Sequence, residues 1–564
     1  MMDKEKEKSL EKKIIWGIVV VSCIVLFAFA ISPKTLQNDT FYTIKIGEYI
    51  YNNGISNLTE DVFSWHDLPY TYPHWLYDLG VFIVYNIFGQ AGIYASTIIL
   101  ASILGLVIYK LCARSGNKPV SLVATIGAMY LLEPYIAARA QLLTFILFGL
   151  TVFFIEKFLE THKKRYAVFL VIIPLIIANV HCAVFPFYFV LYLPYIAEFL
   201  WISFIDLDVD KRIQKLSVKG LLKICKNEKL HTKFETIYEK IPSDMADRKS
   251  KRAKLREKPF KIIVTKNFFV IPLIFIMLLS ACTGVLNPAG DGAYTYLYKT
   301  MQGNTTDSIN EHQPMVLVDC DEFLFALCLF LVILIFTDTK IRLSDLFMLL
   351  GLTYLAFKTK RQISMFAIFC IPILVKLIAA MFEKYDKETC DKILRFASDC
   401  LGACVIILTF SLISIEMLKD IIDDPYIDTG SYPVEASDWI IENLDYKNIK
   451  LYNEYNYGSY LLFRDIPVFI DSRADLYAPE FNKDPNDEED VGRDIFSDAL
   501  NIAGIAYNYV DAFDTYGVTH IISFSNSKLV MLLGQDDDYV KLYDDDTFTI
   551  FERLVENEAS NEQK

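Results

Sequence analysis

Between residues 14 and 418 the chain carries about eleven long apolar runs separated by charged or turn-forming residues, and no water-soluble core absorbs so many. They cover residues 14–31, 92–112, 120–136, 142–159, 167–178, 183–201, 268–286, 322–336, 343–357, 363–381 and 396–418. With 53% of 564 residues hydrophobic, the pattern predicts an α-helical polytopic membrane protein. The N-terminal MMDKEKEKSLEKK precedes the first run as the charged flank of a start-transfer anchor, and no small-residue cleavage site follows it, so the anchor is read as retained.

Basic residues assign the sides. The N-terminal lysines, Lys110, Arg114 and Lys118, residues 162–165, the loop 202–266, Lys340 and Arg342, and Lys384, Lys387 and Lys392 alternate onto one face, the cytoplasmic one. Segments 32–77, 133–141, 179–182, 287–321, 358–362 and everything after Lys419 then lie outside. Residues 75–88 are apolar but short, interrupted by Asp78 and closed by Gly89, and are placed at the interface. Loop 202–266 lacks strong periodicity and reads as a membrane-surface or partly disordered segment with no chemistry of its own. The net charge of −14 divides unevenly, roughly −21 in 419–564 against roughly +7 elsewhere, so the two parts meet different surroundings. Nothing points to a nucleic-acid partner. None of the eleven cysteines lies beyond Cys404, and they read as small buried hydrophobes rather than a disulfide framework.

Residues 419–564 read as a separate extracytoplasmic α/β unit. A helical period covers 433–444, strand-like runs cover 449–453 and 467–470 with the helix GSYLLF between them, and 518–523 is a further strand. Residues 539–543 and 547–552 predict a hairpin around the turn Asp544–Asp546. The acidic pieces 484–490 and 535–538 lack the spacing of a calcium loop and read as solvated loops; the tail 556–564 reads as disordered. No Gly-rich phosphate loop or nucleophile elbow is present.

The most informative polar stretch is the first outer loop, 32–77, rich in aromatics and carboxylates. Asp39 follows the first apolar run by about eight residues, within a turn or two of the bilayer surface. After it, Phe41, Ile44, Tyr49 and Ile50 trace a helix in the interface plane, ended by Gly54. The outer side also collects Asp61, His74, Arg139, His181, Glu311, His312, Lys358, Lys360 and Arg361. Sugar transfer from a lipid phosphate needs this pairing, a carboxylate to accept the acceptor's proton and cations to stabilise the departing phosphate. Each residue also has a plainer reading. Asp39 can cap a helix, Asp61 can order a turn with Ser64, His74 can sit in an aromatic belt, and His181 can mark a helix break. Adjacent Glu311 and His312 without a third ligand are weak evidence for zinc, and Lys358, Lys360 and Arg361 can anchor lipid headgroups.

These residues resemble a known superfamily. Asp39 and Gly47 in the first outer loop, then Asp61-Val62-Phe63-Ser64 and His74-Trp75-Leu76, are similar to elements of bacterial multi-pass proteins of the glycosyltransferase C superfamily, polyprenyl-phosphate-sugar dependent type. Phe41-Tyr42 replaces the tryptophans usual there, and Gln37 stands where a first Asp often does. Ala138-Arg139-Ala140-Gln141, Ala178-Asn179-Val180-His181, Leu286-Asn287-Pro288, Glu311-His312-Gln313-Pro314, Lys360-Arg361 and Phe469-Ile470-Asp471-Ser472-Arg473 extend the resemblance along nearly the whole chain. It implies a transmembrane domain over 1–418, a large first outer loop, and a site on the outer face of a bacterial plasma membrane. It further implies a polyprenyl-phosphate sugar as donor, a glycan or protein of the cell envelope as acceptor, and membrane lipids as surroundings. On this reading Asp39 is the general base and Asp61 a supporting carboxylate or metal ligand. Arg139, Lys360 and Arg361 contact phosphate, and His74 and Glu311 position. Of cofactors only a divalent cation comes into consideration, and Asp39 alone makes a poor site for one. The other reading is a non-catalytic lipid-linked-sugar carrier or a membrane scaffold. A transporter calls for ionisable residues deep in its spans and for internal repeats, and neither is evident in the sequence.

Overall fold

The structure is a computed structural model that describes residues 2–55, 60–201, 203, 209–225, 227–256, 261–303, 305, 309–483, 491–506 and 508–554. Each of the apolar runs lies on helix. Among the described residues six helical segments are long and apolar enough to cross a membrane: Ser9–Ile31, Trp75–Ser115, Ala140–Thr161, Cys182–Trp201, Lys360–Tyr385 and Cys400–Lys419. The remaining runs fall on helices of 12 to 17 residues, such as Lys118–Leu132 and Val270–Ala281, which at 1.5 Å per residue reach only about 18–26 Å. An apolar core holding Ile24, Phe145, Phe148 and Phe366 joins these helices.

Helix α1 covers Met2–Ile31 and α2 covers Asn38–Asn53, closed by Gly54 at φ 77° with its N–H on Ile50 O. The α2 helix forms where its period indicated. Its buried face, with Phe41, Ile44, Ile46 and Ile50, is pressed between helix α3 (Trp75–Cys112) and the C-terminal part of the chain. Close approach to α3 needs Gly47, since a Cβ there would stand 2.1 Å from the Asp78 carbonyl oxygen and 2.6 Å from Phe82 Cβ. Residues 75–88 form the first part of α3, a segment that ends at Gly89 (φ 62°, ψ −154°), as the sequence indicated, and kinks there into the next span. Asp78 is buried at the α2 contact, where the Thr43 side chain hydrogen-bonds it.

Loop 202–266 holds two helices, Val209–Ile224 and Glu228–Arg256, tied by Arg248 to Asp210 at 2.8 Å. Short strands β1 (Ile262–Ile263) and β2 (Ile341–Arg342) then pair in parallel. The C-terminal part carries a four-stranded sheet ordered β3-β4-β6-β5, from Leu451–Tyr452, His520–Phe524, Phe548–Arg553 and Tyr539–Asp544. Its hairpin and the helix Gly458–Phe463 match the sequence pattern. Residues 467–470 form no strand of this sheet; Val468 makes an isolated parallel bridge to Ser64 of the first outer loop. That bridge joins this part to the first outer loop. Phe41, Ile44 and Phe82 share one core with Ile440, Tyr460 and Ile550, and Ile46 and Tyr70 share another with Phe469 and Ile521. A small sheet with short helices leaves an apolar face open, and the first outer loop closes it. Residues 484–490 and the tail lie outside the described residues.

Ionisable groups also pair near the opposite ends of these helices. Glu156 meets Arg114 at 2.9 Å and Arg342 at 3.8 Å, Arg342 meets Glu198 at 2.9 Å, and Lys376 meets Asp345 at 3.0 Å. Helix α5 is Ala140–Thr161, so Glu156 of this cluster lies about 26 Å along it from Arg139. The groups neutralise one another, as charges away from water must.

Candidate active site

Four segments converge at the outer end of the helices: the first turn of α2, the start of α5, the turn Asn310–His312 and the turn Lys360–Gln362. The last two are tied together, since the Lys360 N–H donates to Gln313 O at 3.0 Å, and Tyr135 Oη donates to Lys360 O at 2.8 Å. Gln37 takes the N-cap position of α2, so Asp39 is not the cap; it lies in the first turn, where the helix dipole favours negative charge.

Arg139 is the centre of this cluster. It occupies the N-cap position of α5 in extended conformation, with Nε 3.0 Å from Asp39 Oδ2 and Nη1 donating to Glu311 Oε1 at 3.3 Å. Burial opposes the guanidinium charge, and the two carboxylates outweigh it, holding Arg139 above its ordinary pKa. The Nε contact lacks hydrogen-bond alignment, so Asp39 feels a cation without surrendering its lone pairs to it. Arg361 lies within electrostatic reach of Glu311, Asp39 and Asp475, yet donates to the neutral Gln141 Oε1 at 2.9 Å and makes no ion pair among the described residues.

His74 and His181 form one wall, their rings edge to face with centroids 4.7 Å apart. His181 Nδ1 is 2.9 Å from Thr144 Oγ1 at the point where the helix Lys164–Val180 ends. Burial pushes His74 down to about 4 and lowers His181 well below its ordinary value, so both rings are neutral at neutral pH. His312 is lowered by burial and by Arg361, with Glu311 acting the other way. Lys358 is exposed and Lys360 half-buried, and neither makes an ion pair among the described residues.

Asp61 is engaged in a second ion-pair group. Its carboxylate is enclosed and its oxygens are committed: Oδ1 meets Arg473 Nη1 at 2.6 Å and Oδ2 accepts from the Ser64 N–H at 2.8 Å. Arg473 also binds Asp471 through Nη2 at 2.6 Å and Nε at 2.9 Å, over the rings of Phe63 and Tyr70. These groups clasp the first outer loop to the C-terminal part and leave no oxygen for a cation or substrate.

Sequence reasoning missed Asp475. It accepts from Thr300 and Thr305 at 3.3 and 3.5 Å, burial raises its pKa, and its charge reaches Arg361. Its signal was its place two residues beyond Arg473. Gln141, the acceptor for Arg361, was in view in Ala-Arg-Ala-Gln but carried no charge to single it out. Among the described residues no three His, Cys, Asp or Glu side chains are grouped to hold a metal ion. Asp39 and Glu311 both face Arg139 instead, so the donor set does not fit a divalent cation.

Comparison of the sequence with family models and with curated proteins gives no match. Its structure, however, is similar to oligosaccharyltransferase from Archaeoglobus fulgidus. The apo form superposes with a TM-score of 0.52 at 11% identity, covering 91% of this chain and 69% of that one. AglB from the same organism, in complex with an inhibitory peptide and a dolichol-phosphate, gives 0.51 at 12% identity, covering 95% and 74%. A form tethered with an acceptor peptide containing the NVT sequon gives 0.50 at 12% identity, covering 90% and 69%. At these identities the likeness is one of fold.

Proposed function

We propose that the protein is an integral-membrane glycosyltransferase that moves a sugar from a polyprenyl-phosphate donor to a glycan or protein acceptor of the cell envelope. The reaction takes place at the outer face of a bacterial plasma membrane. The observation that carries this reading is the loosely aligned Asp39 beside Arg139, with Arg361 free of any ion pair among the described residues. Asp39 accepts the proton of the acceptor as the acceptor's nucleophilic atom forms its bond to the anomeric carbon. The bond from that carbon to the phosphate oxygen breaks, and its electron pair leaves with the phosphate, which Arg361 and Arg139 receive. Attack in line inverts the anomeric centre. Glu311 holds Arg139, the neutral His74 and His181 wall the sugar site without competing for the phosphate, and His312 borders Arg361. Lys358 and Lys360 meet headgroups at the rim. Asp61 acts at a distance, by fixing the loop that carries α2. The shared fold supports this reading, since the neighbours are oligosaccharyltransferases and one is bound to a dolichol-phosphate.

The test is turnover of radiolabelled polyprenyl-phosphate sugars by the purified protein with a mixed cell-envelope acceptor extract. Transfer is expected from at least one donor, and Arg361→Ala should weaken donor binding by about 10–100-fold, the loss of one charge-assisted contact. Binding of donor lipid without transfer across a broad panel would move the assignment to a lipid carrier.

A further inference from the structure

We infer that Arg139 is a built-in cation: its guanidinium fills, between Asp39 and Glu311, the place where two carboxylates of one cluster would otherwise hold a divalent metal ion. The donor phosphate is then met by arginine alone. This rests on the cluster being the donor-phosphate site, and it names how that phosphate is bound.

Two observations carry it. The first is position. Arg139 reaches both carboxylates at once, Nε toward Asp39 at 3.0 Å and Nη1 toward Glu311 at 3.3 Å, from the fixed start of α5. The second is charge. Asp39 and Glu311 balance Arg139 and Arg361, and the neutral His74 and His181 add nothing, so the cluster is neutral before any ligand enters. A dication there would sit uncompensated beside two guanidinia. The next carboxylate, Asp475, is turned to Thr300 and Thr305.

With Arg139 removed, Asp39 and Glu311 would be left facing each other without the cation that now separates them.

Manganese titration followed by the EPR signal of free Mn²⁺, on the full-length protein in nanodiscs, tests this without any donor or turnover. Weak binding to the acidic surface is common to all variants, so differences are read. Wild type and Asp39→Asn are expected to give superimposable isotherms. Arg139→Ala, shown to be folded by its thermal melt, should bind one additional Mn²⁺, lost again in Arg139→Ala/Asp39→Asn. Arg139→Gln provides the same comparison if the alanine variant does not fold. A Mn²⁺ bound by wild type and lost in Asp39→Asn would overturn the inference, and so would a folded Arg139 variant that gains no ion. Absence of sugar transfer, by contrast, would remove the reading of the cluster and leave this result standing.

Discussion

Two places in this protein are built from the same three groups, a guanidinium between two carboxylates, and their surroundings make them different devices. In the clasp, Asp61, Arg473 and Asp471 are closed off, with side-chain exposures of 0, 2 and 0%, and Tyr477 Oη adds a donor to Asp471 at 2.7 Å. In the outer cluster, Asp39, Arg139 and Glu311 are 25, 30 and 41% exposed, and Asp39 is held by charge without alignment. A carboxylate whose lone pairs are all engaged in a dry site cannot take a proton from a substrate. One that is half-open can, and the cation beside it is also available to a phosphate.

The comparison breaks most visibly at the clasp. Arg473→Ala leaves two carboxylates buried without their cation and should cost about 3–5 kcal/mol of stability, read as a large fall in Tm of the purified protein. Gly47→Ala tests the frame on which Asp39 is carried: the added methyl meets the α3 backbone, and a loss of about 1–3 kcal/mol is expected in the same melt. Asp39→Asn should cost less than about 1 kcal/mol, because a partly exposed and poorly aligned pair contributes little. A loss as large as that of Arg473→Ala would erase the distinction between the two sites. The smallest effect concerns pH. Asp475 holds its proton more tightly folded than unfolded, so its contribution to stability is largest below its ordinary value of 3.8 and falls as pH rises above it. Asp475→Asn should therefore melt slightly higher than wild type near pH 7, with the gap narrowing toward pH 4.

What could be read from the sequence was whatever is set by neighbours along the chain. The α2 period with Gly54 as its stop, the helix Gly458–Phe463 and the hairpin around Asp544 all follow from local pattern, and the structure has them. Assigning sides to the apolar runs also gathered Asp39, Arg139, Glu311 and Arg361 into one group, and the structure joins them. The sorting within that group was not legible. Asp61 and Asp39 look alike in sequence, and what separates them is a partner for Asp61 that lies 412 residues away. The ion pairs of Glu156, Arg342 and Lys376 were hidden for the same reason, each partner being distant in sequence. Loop 202–266 misled differently: its helices are so rich in lysine that their apolar positions were diluted.

The most direct test of the account is single-turnover sugar transfer from a bound polyprenyl-phosphate sugar, wild type against Asp39→Asn, with donor binding and Tm measured on the same samples. The account predicts a rate lower by about 10²–10⁴ in the variant, the usual worth of a general base, with donor binding and stability little changed. Equal rates in the two proteins would contradict it, and the base would have to be sought outside Asp39.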